Sequence, residues 1–161
     1  MALDQISAPI AAAAWADGDR VLRVKHLVVP VDLSQHSLAA VPVAARMAAQ
    51  SGGRVDVLTV VSRLADVEPA GDELRERLAA MAPLPATVRQ VVSANPSVVD
   101  AILRHLERNS DTTVTMSSRG HGRSAAIVGS TTNQLLRASH RPVIVIGPNA
   151  TKSSGELSGR Y

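Results

Sequence analysis

The chain has 161 residues, 45% of them hydrophobic, and a formal charge of +3: one domain's worth of material, with enough apolar surface for a real core. It has no Phe, and its single Trp and Tyr, Trp15 and Tyr161, stand near the chain ends, which argues against the aromatic platforms of single-strand nucleic-acid binders. The charge is too small and the arginines too scattered for a basic nucleic-acid face, and the absence of cysteine excludes disulfides, thiolate nucleophiles and Cys-ligated metals.

Residues 1–20, rich in Ala, Asp and Gly, read as a mobile arm. Asp4 stands where a secretory signal would carry positive charge, and no run approaches the ~18 apolar residues of a membrane span. No membrane association is expected, and the cysteine-free chain is compatible with the cytoplasm, its expected location. VKHLVVPVD is then a β-branched run that predicts a buried strand over 24–31, ending near Pro30. A helical stretch follows, capped by Ser34 or Ser37 and stopped at Gly52-Gly53. RVDVLTVVS predicts a strand over about 54–61, and 63–82 a charged helix closed by Pro83 and Pro85.

ATVRQVVS is a third strand. NPSVVDAILRHLERNS is a helix with Val98, Ile102, Leu103 and Leu106 on one face. DTTVTMSS is a fourth strand, RGHGRSAAIVG a Gly-punctuated loop, STTNQLLRASH a helix and RPVIVIG a fifth strand. The tail from 149 to 161 is Ser/Gly-rich and expected to be disordered, leaving 21–148 as the domain. Strands alternating with helices imply β-α-β units and an open, mostly parallel five-stranded sheet with helices on both faces, a Rossmann-like α/β fold. Ligands of such sheets sit beyond the strand C-termini, which singles out Asp32 with Ser34, and residues 117–131.

The segment 116–136 leaves a strand, passes Gly120 and Gly122 and enters a helix at Gly129-Ser130-Thr131. A helix start presents unpaired N–H groups suited to phosphate, and glycine lets backbone approach a ligand. An ordinary Gly-rich loop with a Ser/Thr cap explains the same pattern equally well. The five histidines (His26, His36, His105, His121, His140) lack metal-ligand spacing, so the pattern suggests no metal site. Ser130 is not on a nucleophile elbow, and no catalytic residue is assigned.

Together, VPVDLSQHS, the GHG…GS loop and the closing HRPVIVIG resemble the universal stress protein family over roughly residues 24–147. The ATP-binding branch of that family carries G-x2-G-x9-G-[S/T] after strand four. Here Ser117 stands in place of the first Gly, Gly120 is the second, Gly129-Ser130 is the G-[S/T] pair, and eight residues rather than nine separate Gly120 from Gly129. The resemblance implies strand order 3-2-1-4-5. It also implies a stress-response regulator that binds ATP or another adenine nucleotide such as AMP or cyclic AMP, with any Mg²⁺ held through the phosphates. The implied contacts are Pro30, Val31, Asp32, Val60, Met116, Ser117, Gly120, Gly129, Ser130 and Thr131. On residue type alone Asp32 is equally an Asx cap, and Val60 and Met116 are equally core.

Nothing dedicates a general base, so conventional enzyme activity is not expected. The alternatives are a slow ATP hydrolase and a dimeric scaffold with a vestigial pocket. The family also implies a homodimer paired through strand five, Pro142 to Ile146.

Overall fold

A computed structural model of the chain describes residues 24–81, 83–118, 129–147 and 150. The arm, most of the tail, and Arg119, Gly120, His121 and Arg123 lie outside the described residues. Five parallel strands, β1 (His26–Val31), β2 (Arg54–Val61), β3 (Val88–Ala94), β4 (Thr112–Ser117) and β5 (Val143–Ile146), form one sheet in the order β3-β2-β1-β4-β5. Among the described residues five α-helices connect them: α1 (Gln35–Leu38), α2 (Ala40–Ser51), α3 (Val67–Ala79), α4 (Val98–Glu107) and α5 (Ser130–Ala138).

Alternation along the strands separates two apolar layers. On one face Leu27, Val29, Val55 and Val57 pack with Ala40, Val41, Ala44 and Ala48 of α2 and Leu74 of α3. On the other, Val28, Leu58 and Val114 pack with Ile102 and Leu106 of α4 and Leu135 of α5. The three central strands are covered on both faces, which is why they read as continuous β-branched runs. Alanines spaced four apart give α2 a thin stripe, so that it seats closely on the sheet. No Phe, Tyr or Trp occurs among the described residues; aliphatic side chains fill the core, each fully buried Val or Leu contributing roughly 1.5–3 kcal/mol.

Three local features depart from the sequence expectation. The first helical stretch is two helices, α1 capped by Ser34 and α2 starting after Ala39. Pro42 stands in the first turn of α2, where its missing N–H costs nothing, whereas a continuous helix would have required that donor. The segment 63–82 opens with a 3-10 turn, Leu64–Asp66, before α3. Strand five lies at the edge that the implied strand order gives it, but is less covered than its apolar run on both faces predicts: of its four residues only Ile146 is buried, and Val145 is 38% exposed.

Both glycines of the Gly52-Gly53 pair have structural reasons. Gly52 ends α2 in the left-handed region at φ 64°, as the helix-stop reading requires. Gly53 passes so close to β1 that a Cβ would stand 2.6 Å from the Lys25 carbonyl oxygen.

Candidate functional site

Strand order reverses at β1: the chain proceeds from it to β2 and β3 on one side, and β4 and β5 fill the other. The loops after β1 and β4 therefore diverge and leave a cleft beyond the strand ends. The cleft has a cavity volume of about 180 Å³ and opens to solvent, smaller than the roughly 300–1,000 Å³ usual for small-molecule sites. Pro30, Val31, Asp32, Val60, Met116, Ser117, Gly129, Ser130 and Thr131, all singled out from sequence, line it together. Gly120 lies outside the described residues. Ser34, singled out beside Asp32, lines it as well, as do His36, Ser37, Leu58, Val98 and Thr132, which the sequence reading did not assign as contacts.

The cleft has an apolar side and a hydroxyl-rich side. Leu58, Val60 and Met116 continue the α4/α5 core layer upward, and Val98, placed with the core from its periodicity, is 44% exposed at the rim. Opposite them, the β1–α1 turn is a closed hydrogen-bond system. Asp32 Oδ1 accepts from the Ser34 backbone N–H at 3.1 Å and the Ser34 hydroxyl at 2.5 Å, while Ser34 Oγ accepts from the Ser37 N–H at 3.1 Å. Asp32 thus makes an Asx turn immediately ahead of the helix cap, which is Ser34, and it lines the cleft. Leu33, between Asp32 and Ser34, is held at φ 63° while its side chain packs on the core.

Two cross-links tie α1 to the end of β4. His36 Nε2–H donates to the Ser118 carbonyl at 2.7 Å, and the Ser117 hydroxyl donates to the Ser37 carbonyl at 3.4 Å. Ser117 is not among the described positive-φ residues, Leu33, Asp111 and Gly52. Serine in place of the motif's glycine therefore imposes no left-handed strain, and its hydroxyl is directed to the protein backbone. At the fourth wall α5 begins at Gly129 with no side-chain cap. This contrasts with α1, whose first turn Ser34 satisfies. Among the described residues no side chain caps the first N–H groups of α5, and Ser130, Thr131 and the buried Thr132 of that turn line the cleft.

A second polar assembly occupies the opposite, N-terminal end of the same sheet face. Asp56 Oδ2 accepts from His26 Nε2 at 2.8 Å and from His105 Nε2 at 3.1 Å, and its Oδ1 accepts from Arg89 Nε and a terminal guanidinium nitrogen at 3.0 and 2.8 Å. His26 and Asp56 are 3% and 1% exposed, His105 16%. Burial lowers the pKa of His26 against the opposing pull of Asp56. Burial would raise that of Asp56, but the hydrogen bonds from Arg89, His26 and His105 outweigh it and hold the carboxyl below its usual range. These residues come from β1, β2, β3 and α4, and the register of the sheet together with the seating of α4 on it brings them together.

The fold and cleft define the class: an open parallel α/β domain with its cavity at the switch point of the sheet. The chain belongs to the universal stress protein family, whose model matches residues 23–147. No curated protein matches the sequence. Among solved structures it is similar to a universal stress protein in complex with cAMP, with 22% identity over 77% of this chain and 97% of that one and a TM-score of 0.61. It is similar to UspA from Lactobacillus plantarum at 22% identity over 77% and 98%, TM-score 0.57. A universal stress protein from Archaeoglobus fulgidus is 26% identical over 77% of this chain and 45% of that longer one, TM-score 0.60. No helix among the described residues is long and apolar enough to cross a membrane.

Proposed function

We propose that the cleft binds an adenine nucleotide and that the protein serves as a stress-response regulator through that binding. The observation that carries this reading is the α5 N-terminus, with no side-chain cap, opening on a cleft whose far side is apolar. Its N–H groups and partial positive charge suit a phosphate, Leu58, Val60, Val98 and Met116 suit a purine face, and Asp32 stands at the lip to accept from sugar hydroxyls. The complex of a relative with cAMP supports the ligand class. With a di- or triphosphate, Mg²⁺ would be held mainly through the phosphates. Calorimetry with ATP, ADP, AMP and cyclic AMP tests the reading: heat of binding with at least one is expected, and Gly129→Asp, which places a carboxylate beside the phosphate, removes it. No heat with any of the four at millimolar ligand overturns it.

A second observation favours assembly. The β3 edge carries Arg89 and Gln90, which discourage pairing, whereas the β5 edge is Val-Ile-Val-Ile with no charge or bulge within it. We infer that β5 pairs with its copy across a two-fold axis, giving a homodimer.

A further inference from the structure

We propose that His26, Asp56 and His105 form a binding site for a divalent transition-metal ion, of which Zn²⁺ is the natural occupant. The two Nε2 atoms and the carboxylate oxygens lie within 4.8 Å of one another. Both rings present Nε2 to the same oxygen, Oδ2, at 2.8 and 3.1 Å. Zinc ligands at about 2.0–2.1 Å in tetrahedral array stand about 3.4 Å apart. The two sides that meet at Oδ2, 2.8 and 3.1 Å long, therefore have to open by roughly 0.3–0.6 Å, with the two Nε2 atoms already within 4.8 Å and the ion taking the place of the two Nε2 protons. Two imidazoles and one carboxylate select zinc and its transition-metal neighbours over Mg²⁺ or Ca²⁺, which prefer all-oxygen shells. The fourth position falls to a water on the side where His105 is partly exposed.

The surroundings already supply the outer contacts. Arg89 holds Oδ1, which fixes the carboxylate so that Oδ2 alone faces the rings. Ligation through Nε2 moves the ring proton to Nδ1. For His26 the acceptor is Thr112 Oγ1 at 3.2 Å, whose own proton is donated to the Asn109 carbonyl at 2.9 Å. The Arg54 guanidinium nitrogen that lies 3.3 Å from His26 Nδ1 retains Asn109 Oδ1 at 3.2 Å as its acceptor. Arg54 and Arg89 oppose the added charge. Arg89 is 58% exposed, so solvent screens much of its effect. An ion here would join α4 to β1 and β2 and so stabilise the fold by mass action.

The test uses the full chain, stripped with chelator and desalted. Titration with Co²⁺, read by the visible bands of a tetrahedral site, and with Zn²⁺, read by calorimetry, should give one equivalent, and Zn²⁺ should raise the unfolding midpoint followed by far-UV circular dichroism. His105→Ala removes a ligand at a partly exposed helix position and should weaken binding by about 100-fold or more. Thr112→Val should weaken it about tenfold, with Thr112→Ser restoring it. His140→Ala should leave binding intact. No uptake at millimolar ion, binding unchanged by both His105→Ala and Thr112→Val, or binding lost in His140→Ala would each overturn the proposal.

Discussion

His26 and Asp56, thirty residues apart in sequence, meet at 2.8 Å across neighbouring strands with both side chains almost excluded from water. In metal-free protein Asp56→Ala leaves the buried His26 Nε2–H without its acceptor. It should cost about 1–3 kcal/mol, the penalty for an unsatisfied buried donor, measured by urea unfolding followed by circular dichroism. A variant as stable as wild type would show that the contact contributes nothing.

The same pair sets an acid limit for the metal-free protein. The folded pKa of His26 lies below its ordinary 6.5, so in that interval the unfolded chain binds a proton that the folded chain does not. Its contribution is complete above about pH 6.5 and is lost as pH falls through the folded value. Asp56, lowered from 3.8, adds a second loss in the same direction below that pH. Stability in chelator should thus fall as pH drops below 6.5 and fall again below 4, and the second decline should be weaker in Asp56→Ala. A flat profile from pH 7.5 to 5 would contradict the first step.

Ser117 hydrogen-bonds the Ser37 carbonyl rather than the cleft. Ser117→Ala should therefore cost at most about 0.5–1.5 kcal/mol of stability, one ordinary hydrogen bond, and leave nucleotide affinity within a few-fold of wild type. A tenfold loss of affinity would place its hydroxyl on the ligand.

The two glycines after α2 should fail differently. Gly52→Ala forces a side chain into the left-handed region, costing about 1–2 kcal/mol, with nothing within 4 Å to clash. Gly53→Ala drives a Cβ onto the Lys25 backbone and should cost about 1–3 kcal/mol, as overpacking does, and disturb the β1–β2 register. Thermal melts of the two variants check this. Gly53→Ala melting with wild type would refute the close approach.

Dimerisation is best probed at Val145. Ile146 belongs to the core cluster, so a charge there unfolds the chain, whereas Val145 is outward and exposed. Val145→Lys should give a folded monomer by light scattering and circular dichroism. A wild-type monomer at tens of micromolar, an ordinary order of working concentration, would rule the edge pairing out.

Much of the fold was legible because a parallel sheet covered on both faces needs runs such as HLVVPV and RVDVLTVV, and the Ser34 and Gly52 punctuation marks its first helical stretch. Pro42 was readable as a helix boundary and passed unnoticed inside an otherwise helical pattern. The cleft residues on β1, β4 and α5 were legible through the shared motif, and His36 and Ser37 were not, because their place depends on how α1 leans on β4. Val98 shows the limit of periodicity, which gives the face of a helix without showing where the core beneath that face ends. The His26–Asp56–His105 cluster had no signal at all. Its members come from three separated segments, and spacing along the chain carries no information about residues that sheet register and helix packing bring together.

A fold whose described residues hold no Phe, Tyr or Trp is nearly transparent in the near ultraviolet. A purine seated against Leu58, Val60 and Met116 would add its absorbance to a chain whose near-ultraviolet bands otherwise come from Trp15 and Tyr161 alone. Occupancy of the cleft would then be readable from the spectrum of the purified protein, before any ligand is added.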